Sequence, residues 1–86
     1  MNWEQVRQEY PNQWLLIEAT AAHTENSTRV VEEIVVISSF DGAKHALQAY
    51  LAKHKQNPTQ ELYVAHTSRE ALDIKERKWA GVRTAA

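Results

Sequence analysis

Cysteine is absent from the chain. That single absence removes disulfide staples, thiolate metal centres and cysteine nucleophiles together. Glycine and proline occur only twice each. A loop that cradles phosphate needs several closely spaced glycines, and Gly42 and Gly81 stand far apart, so nucleotide chemistry of that kind is excluded. The scarcity of both residues also leaves most of the chain free to enter regular structure. No apolar run approaches the ~18 residues that a membrane-spanning helix requires, and no membrane partner is expected. The opening Met1-Asn2-Trp3-Glu4 lacks a basic segment followed by an apolar one, so a cytoplasmic address is expected. An excess of one charge is missing as well. The formal net charge is −1, with acids and bases interspersed. A duplex-binding domain shows a basic stripe, so nucleic-acid binding is disfavoured. The one place it could reside is the basic C-terminal segment holding Lys75, Arg77, Lys78 and Arg83.

What is present is an ordinary globular composition, 43% hydrophobic and 24% charged over 86 residues. It fits one domain, residues 1–86, that is short of core for its surface.

The densest apolar stretch runs from Trp14-Leu15-Leu16-Ile17 to Val35-Val36-Ile37. Two arms, residues 14–23 and 29–38, are rich in Val, Ile, Leu and Thr, and the polar Glu25-Asn26-Ser27-Thr28 separates them. This reads as a β-hairpin. With the turn centred on Asn26 and Ser27, one face carries Leu15, Ile17 and Ala19 opposite Val36 and Ile34. The other carries Trp14 and Leu16 opposite Ile37, with Val35 opposite Glu18. Both faces are therefore apolar, and a one-residue slip of register would exchange them.

Two helices flank the hairpin. Asn2 followed three residues later by Gln5 has the form of a capping box, and Trp3, Val6, Arg7 and Tyr10 recur at helical spacing before Pro11, which predicts a short helix over residues 3–9. So short a helix is marginal alone in water, so it must dock through Trp3 and Tyr10. Ala43, Ala46, Leu47, Tyr50, Leu51 and His54 recur at i, i+3, i+4 and i+7, predicting a long helix over residues 42–56. Asp41 is its expected N-cap with Phe40 as a hydrophobic staple, and Asn57-Pro58 is its stop. Leu62–His66 reads as a strand that returns as a parallel neighbour after the helical crossover. Thr67 or Ser68 would then cap a turn of helix through Leu72. The stretch 73–83 suits either a helix or an edge strand, and Trp79 within it calls for burial.

The pattern Tyr10-Pro11, Trp14-Leu15-Leu16-Ile17-Glu18 and Glu61-Leu62-Tyr63-Val64-Ala65-His66-Thr67-Ser68-Arg69-Glu70 resembles a group of short bacterial proteins of uncharacterised function. They share an aromatic-led hairpin, one helix and a final strand. The resemblance implies a hairpin–helix–strand core over nearly the whole chain. It implies no activity and no functional residue.

The four histidines are the available chemical handles. His45 and His54 share the long helix but stand nine residues apart, ~2.5 turns, too far to hold one ion. His23 and His66 fall toward ends of strands, where Glu32 or Glu33 could join them in a zinc or acid–base cluster. No recognised ligand spacing supports it, and the plain reading is two surface histidines. Thr67-Ser68 has no base at a defined spacing, and Glu18 reads as a paired or rim carboxylate. No catalytic, cofactor-binding or metal-binding residue is assigned, no cofactor is called for, and an enzyme is not expected.

The expected fold is α+β, a small β-β-α-β domain with a three- or four-stranded sheet. The long helix is expected on the Leu15, Ile17, Ile34 and Val36 face. Trp3, Tyr10, Trp14, Leu16, Val35, Ile37 and Trp79 are expected to gather on the other as a candidate interaction surface. The expected function is a non-enzymatic protein-interaction or regulatory module, with a protein partner or self-association as a homodimer. The alternatives are a small metal- or ligand-binding domain and a weak nucleic-acid binder.

Overall fold

A computed structural model describes residues 1–72 and 74–75. The elements are α1 (Trp3–Glu9), β1 (Trp14–Glu25), β2 (Thr28–Phe40), α2 (Ala43–Gln56), β3 (Leu62–His66) and β4 (Ile74–Lys75). They form an α+β domain whose sheet has the order β3-β1-β2-β4, with every neighbouring pair antiparallel.

Local chemistry accounts for the element boundaries. The Asn2 side chain accepts the Gln5 amide at 2.8 Å, and the Gln5 side chain accepts the Asn2 amide at 2.9 Å. The capping box is thus complete and starts α1 at Trp3. The Tyr10 amide donates to the Val6 carbonyl, and Pro11 ends the helix. Asn26 and Ser27 both adopt left-handed backbone, with φ of 50° and 64°, the pattern of a two-residue type I′ turn that matches the twist of the strands.

From that turn the register runs as the sequence predicts. Glu18 faces Val35, Ile17 faces Val36 and Ala19 faces Ile34. Three irregularities interrupt it, between Leu16 and Ile17, between Ala19 and Ala21, and between Ala21 and Ala22. At the first, Ile37 is the extra residue, so Leu16 faces Ser38 rather than Ile37. Such bulges tighten the twist of a long ribbon.

Further expectations are corrected. First, β3 does not pair with β2. It pairs with β1, with Leu16 opposite Val64 and Trp14 opposite His66. The outer edge of β2 is already engaged, because the Ile34 amide donates to the Met1 carbonyl at 2.7 Å and β4 pairs with Thr28 and Arg29. The returning strand therefore takes the edge of β1.

Second, the two helices exchange faces. The buried cluster of Leu15, Ile17, Ile34 and Ala65 is covered by Trp3 and Val6 of α1, with Tyr10, Val31, Val36, Tyr63 and Leu72 packed around it. Helix α2 lies on the opposite face, over Leu16, Leu62 and Val64. Its one fully buried residue is Ala46. Ala46, Ala49, Tyr50 and Lys53 are its buried and half-buried positions. They repeat at i, i+3, i+4 and i+7, as the leucine-bearing stripe does. The small alanines allow a close approach, whereas the bulky Trp3 and Val6 fill the deeper cluster.

Third, residues 67–72 form turns and bends rather than a helix. The Thr67 hydroxyl accepts the Gln13 amide at 2.9 Å instead of capping. The carbonyls of Thr67 and Arg69 receive the Arg7 Nε and Trp3 Nε1 donors at 2.9 and 3.0 Å. This segment straps α1 to the sheet. The N-cap of α2 is Gly42, not Asp41, and no side chain caps that end.

Candidate functional site

The sheet order leaves β3 as a margin strand, and its five residues, Leu-Tyr-Val-Ala-His, include no Lys, Arg, Asp or Glu. Beside it lies a groove of about 280 Å³ lined by Leu47 and Tyr50 from α2 and by Leu62, Tyr63 and Val64 from β3. Leu47 and Leu51 are 52% and 57% exposed. On a helix Leu51 stands ~140° round from Ala46, so it points away from the sheet when Ala46 points in. Tyr50 stacks on His54, ring centroids 5.6 Å apart and nearly parallel. Helix α2 carries Lys44, Lys53 and Lys55 and no acidic residue. The result is an apolar strip, framed by cations, running along a free strand edge.

The residues expected to form one surface are divided between the faces. Trp3 is buried and Tyr10 half-buried in the cluster under α1. Leu16 is buried on the other face. Trp14 is half-buried there and meets His66 edge-on at 5.0 Å. Ile37 is half-buried at its bulge. Val35, 49% exposed, is the member left open to solvent. Trp79, like Arg77, Lys78 and Arg83, lies outside the described residues. The division follows from the exchange of helices: α1 carries Trp3 and Tyr10 with it. Leu47 and Leu51 were legible only as members of a core stripe. The signal available was the breadth of that stripe, which together with the alanine row exceeds the arc one sheet can cover.

His23 and His66 do not converge. His66 is opposite Trp14, and His23 lies nine residues further along β1, ~30 Å at strand rise. His23 is instead held between Glu25, at 3.2 Å from Nε2, and Glu32, at 3.3 Å from Nδ1. The hydrogen bonds to Glu25 and then Glu32 raise its pKa above the usual 6.5. His66 Nδ1 is 2.8 Å from the Ser68 hydroxyl and borders an open polar cleft of about 490 Å³ with Asn12, Gln13, Trp14, Ser39, Phe40 and Asp41. Among the described residues no group of three or more His, Asp or Glu side chains is placed to hold a metal ion.

On the α1 face Arg29 grips Glu61 with two bonds of 2.8 Å, and the Tyr63 hydroxyl donates to the same carboxylate at 2.6 Å. The Arg29 guanidinium holds Glu61 below the ordinary carboxylate range. Burial first, and then the bond to Glu61, pushes Tyr63 up to about 12. This trio ties the hairpin tip to the start of β3. Its members hold one another and leave no activated base.

Among the described residues no helix is long and apolar enough to cross a membrane. No family model matches the chain, and neither a curated protein nor a solved structure shows a significant match to it.

Proposed function

We propose that the chain is a non-enzymatic protein-interaction module whose docking surface is the strip where α2 meets the free edge of β3. One observation carries the reading: Leu47, more than half exposed, lines the groove beside a margin strand without a charged side chain, and the similarly exposed Leu51 extends the apolar surface one turn along α2. Isolated surface leucines need no explanation, but apolar side chains flanking an unpaired edge form a surface that soluble proteins usually blunt.

The test is a double substitution, Leu47→Gln and Leu51→Gln, which keeps good helix formers on the exposed face. The expected result is an unchanged circular dichroism spectrum and melting temperature, with loss of proteins captured from a cell extract and of any self-association seen by light scattering. A variant that keeps the same captured set and the same native mass would overturn the proposal.

A further inference from the structure

Resting on that reading, the occupant of the groove can be named by its chemistry. We infer that it is an extended acidic segment of a partner protein, which adds a strand to the outer edge of β3. The edge supplies the first argument. The inner side of β3 is taken by β1, and among the described residues no strand pairs with its outer side. The far margin is different, since β2 is engaged by the Met1 backbone and β4. Strand addition draws affinity from main-chain hydrogen bonds and specificity from pockets for alternate side chains.

The groove supplies those pockets. Leu62 and Val64 are two apart on β3 and share a face, roofed by Leu47 and Tyr50. A strand laid beside β3 presents every second side chain to that face, so apolar residues at alternate positions fill it. The helix wall sets the charge of the rest. Lys44 lies one turn before Leu47 and Lys55 one turn after Leu51, which makes them neighbours of the two leucines on the helix surface. Lys53 adds a third cation, and α2 has no acid to neutralise them. Glu18, opposite Leu62 on β1 and on the same face of the sheet, is one carboxylate against the three lysines of α2. A second copy joined edge to edge about a two-fold axis would set one basic helix against another. An acidic foreign segment meets attraction instead, and it leaves the main-chain edge to do the pairing.

The test uses the full chain labelled for amide NMR and three capped heptapeptides, with Leu or Val at alternate positions and Glu, Gln or Lys between them. The Glu peptide is expected to shift and protect amides of residues 62–66 saturably, and to bind at least ~10-fold more tightly than the Gln and Lys versions. Lys44→Glu with Lys55→Glu, or the milder Lys44→Gln with Lys55→Gln, should weaken it by a similar factor while the fold persists. Equal binding of all three peptides would overturn the acidic assignment and leave the docking surface standing. So would protection of residues 62–66 that rises with protein concentration alone, which identifies a second copy. Anionic phospholipid vesicles protecting the α2 face while no peptide binds would also overturn it, in favour of a lipid surface. Failure of every probe, together with an unchanged captured set in the Leu47→Gln, Leu51→Gln variant, would remove both readings.

Discussion

Ser27 occupies left-handed backbone, φ 64°, at the second central position of the hairpin turn. Such a conformation costs an L-residue about 1–2 kcal/mol, and Asn tolerates it better than Ser does. Ser27→Gly should therefore stabilise the fold by about 0.5–1 kcal/mol, after allowing for the extra freedom glycine gives the unfolded chain. A higher midpoint in urea at unchanged slope is the expected outcome, and a lower one would show that the serine side chain contributes something its backbone does not reveal. Tyr63 makes a second prediction at this scale. The folded protein keeps the phenol proton more tightly than the unfolded chain does, with a pKa near 12 against 10.0. Stability from this group is complete below pH 10 and declines as pH rises toward 12. Its partner acts at the other end: Glu61 is depressed below 4.5, so its contribution is complete above that value and is lost as pH falls through the lower folded value. Ultraviolet difference titration should show a late-ionising tyrosine in the native protein, and Glu61→Gln should bring that step earlier without restoring it fully, because burial remains.

Helix α1, seven residues long, is too short to persist by propensity. It is held by Trp3 and Val6 in the core and by the strap whose carbonyls receive Trp3 Nε1 and Arg7 Nε. Trp3→Ala should cost about 3–5 kcal/mol, the range for emptying a buried tryptophan site. The loss should release residues 67–72 along with α1. Equilibrium denaturation gives the first quantity, and the backbone shifts of Thr67 and Arg69 report the second. A cost below about 1 kcal/mol would mean that α1 is an ornament on the sheet, not part of its core. The helix and strand elements up to His66 were legible in the sequence because their boundaries rest on local chemistry, whereas the turn of helix expected through Leu72 did not form. The Asn2–Gln5 box, the Asn26-Ser27 turn and the Asn57-Pro58 stop all lie where the structure ends its segments. The face on which each helix lies was not legible. Both sides of the hairpin are apolar, and the choice depended on fitting Trp3 and Val6 into one cluster and Ala46 against the other. Nor was Gly42 legible as the N-cap, since Asp41 offers the better capping side chain.

At the scale of the molecule, the same uncertainty of face concealed the candidate site. Leu47 and Leu51 read as core until α2 is known to approach through Ala46. Sheet order was hidden for a related reason: the position of β3 was decided by what already occupied the edge of β2, including a backbone contact from Met1 that no periodicity encodes. The resulting arrangement is uneven. Residues 14–18 of β1 are paired on both sides and lie between α1 and α2. The hairpin turn is the less covered end, with His23, Thr24, Glu25, Asn26 and Ser27 exposed. Opening free energies follow such differences in coverage. Native-state hydrogen exchange should therefore give the slowest amides at Leu15, Leu16 and Ile17, exchanging only by global unfolding. Amides of the tip should exchange through local opening that denaturant barely affects. Residues 62–66 should divide, with amides directed to β1 protected and those directed outward exchanging fast. Fast exchange on the outward side of β3 in the isolated protein, slowed only when the acidic peptide is added, is the pattern that an open docking edge requires. Uniform protection of β3 in the dilute protein alone would mean that the edge is already covered, and the strip beside α2 would no longer need a partner.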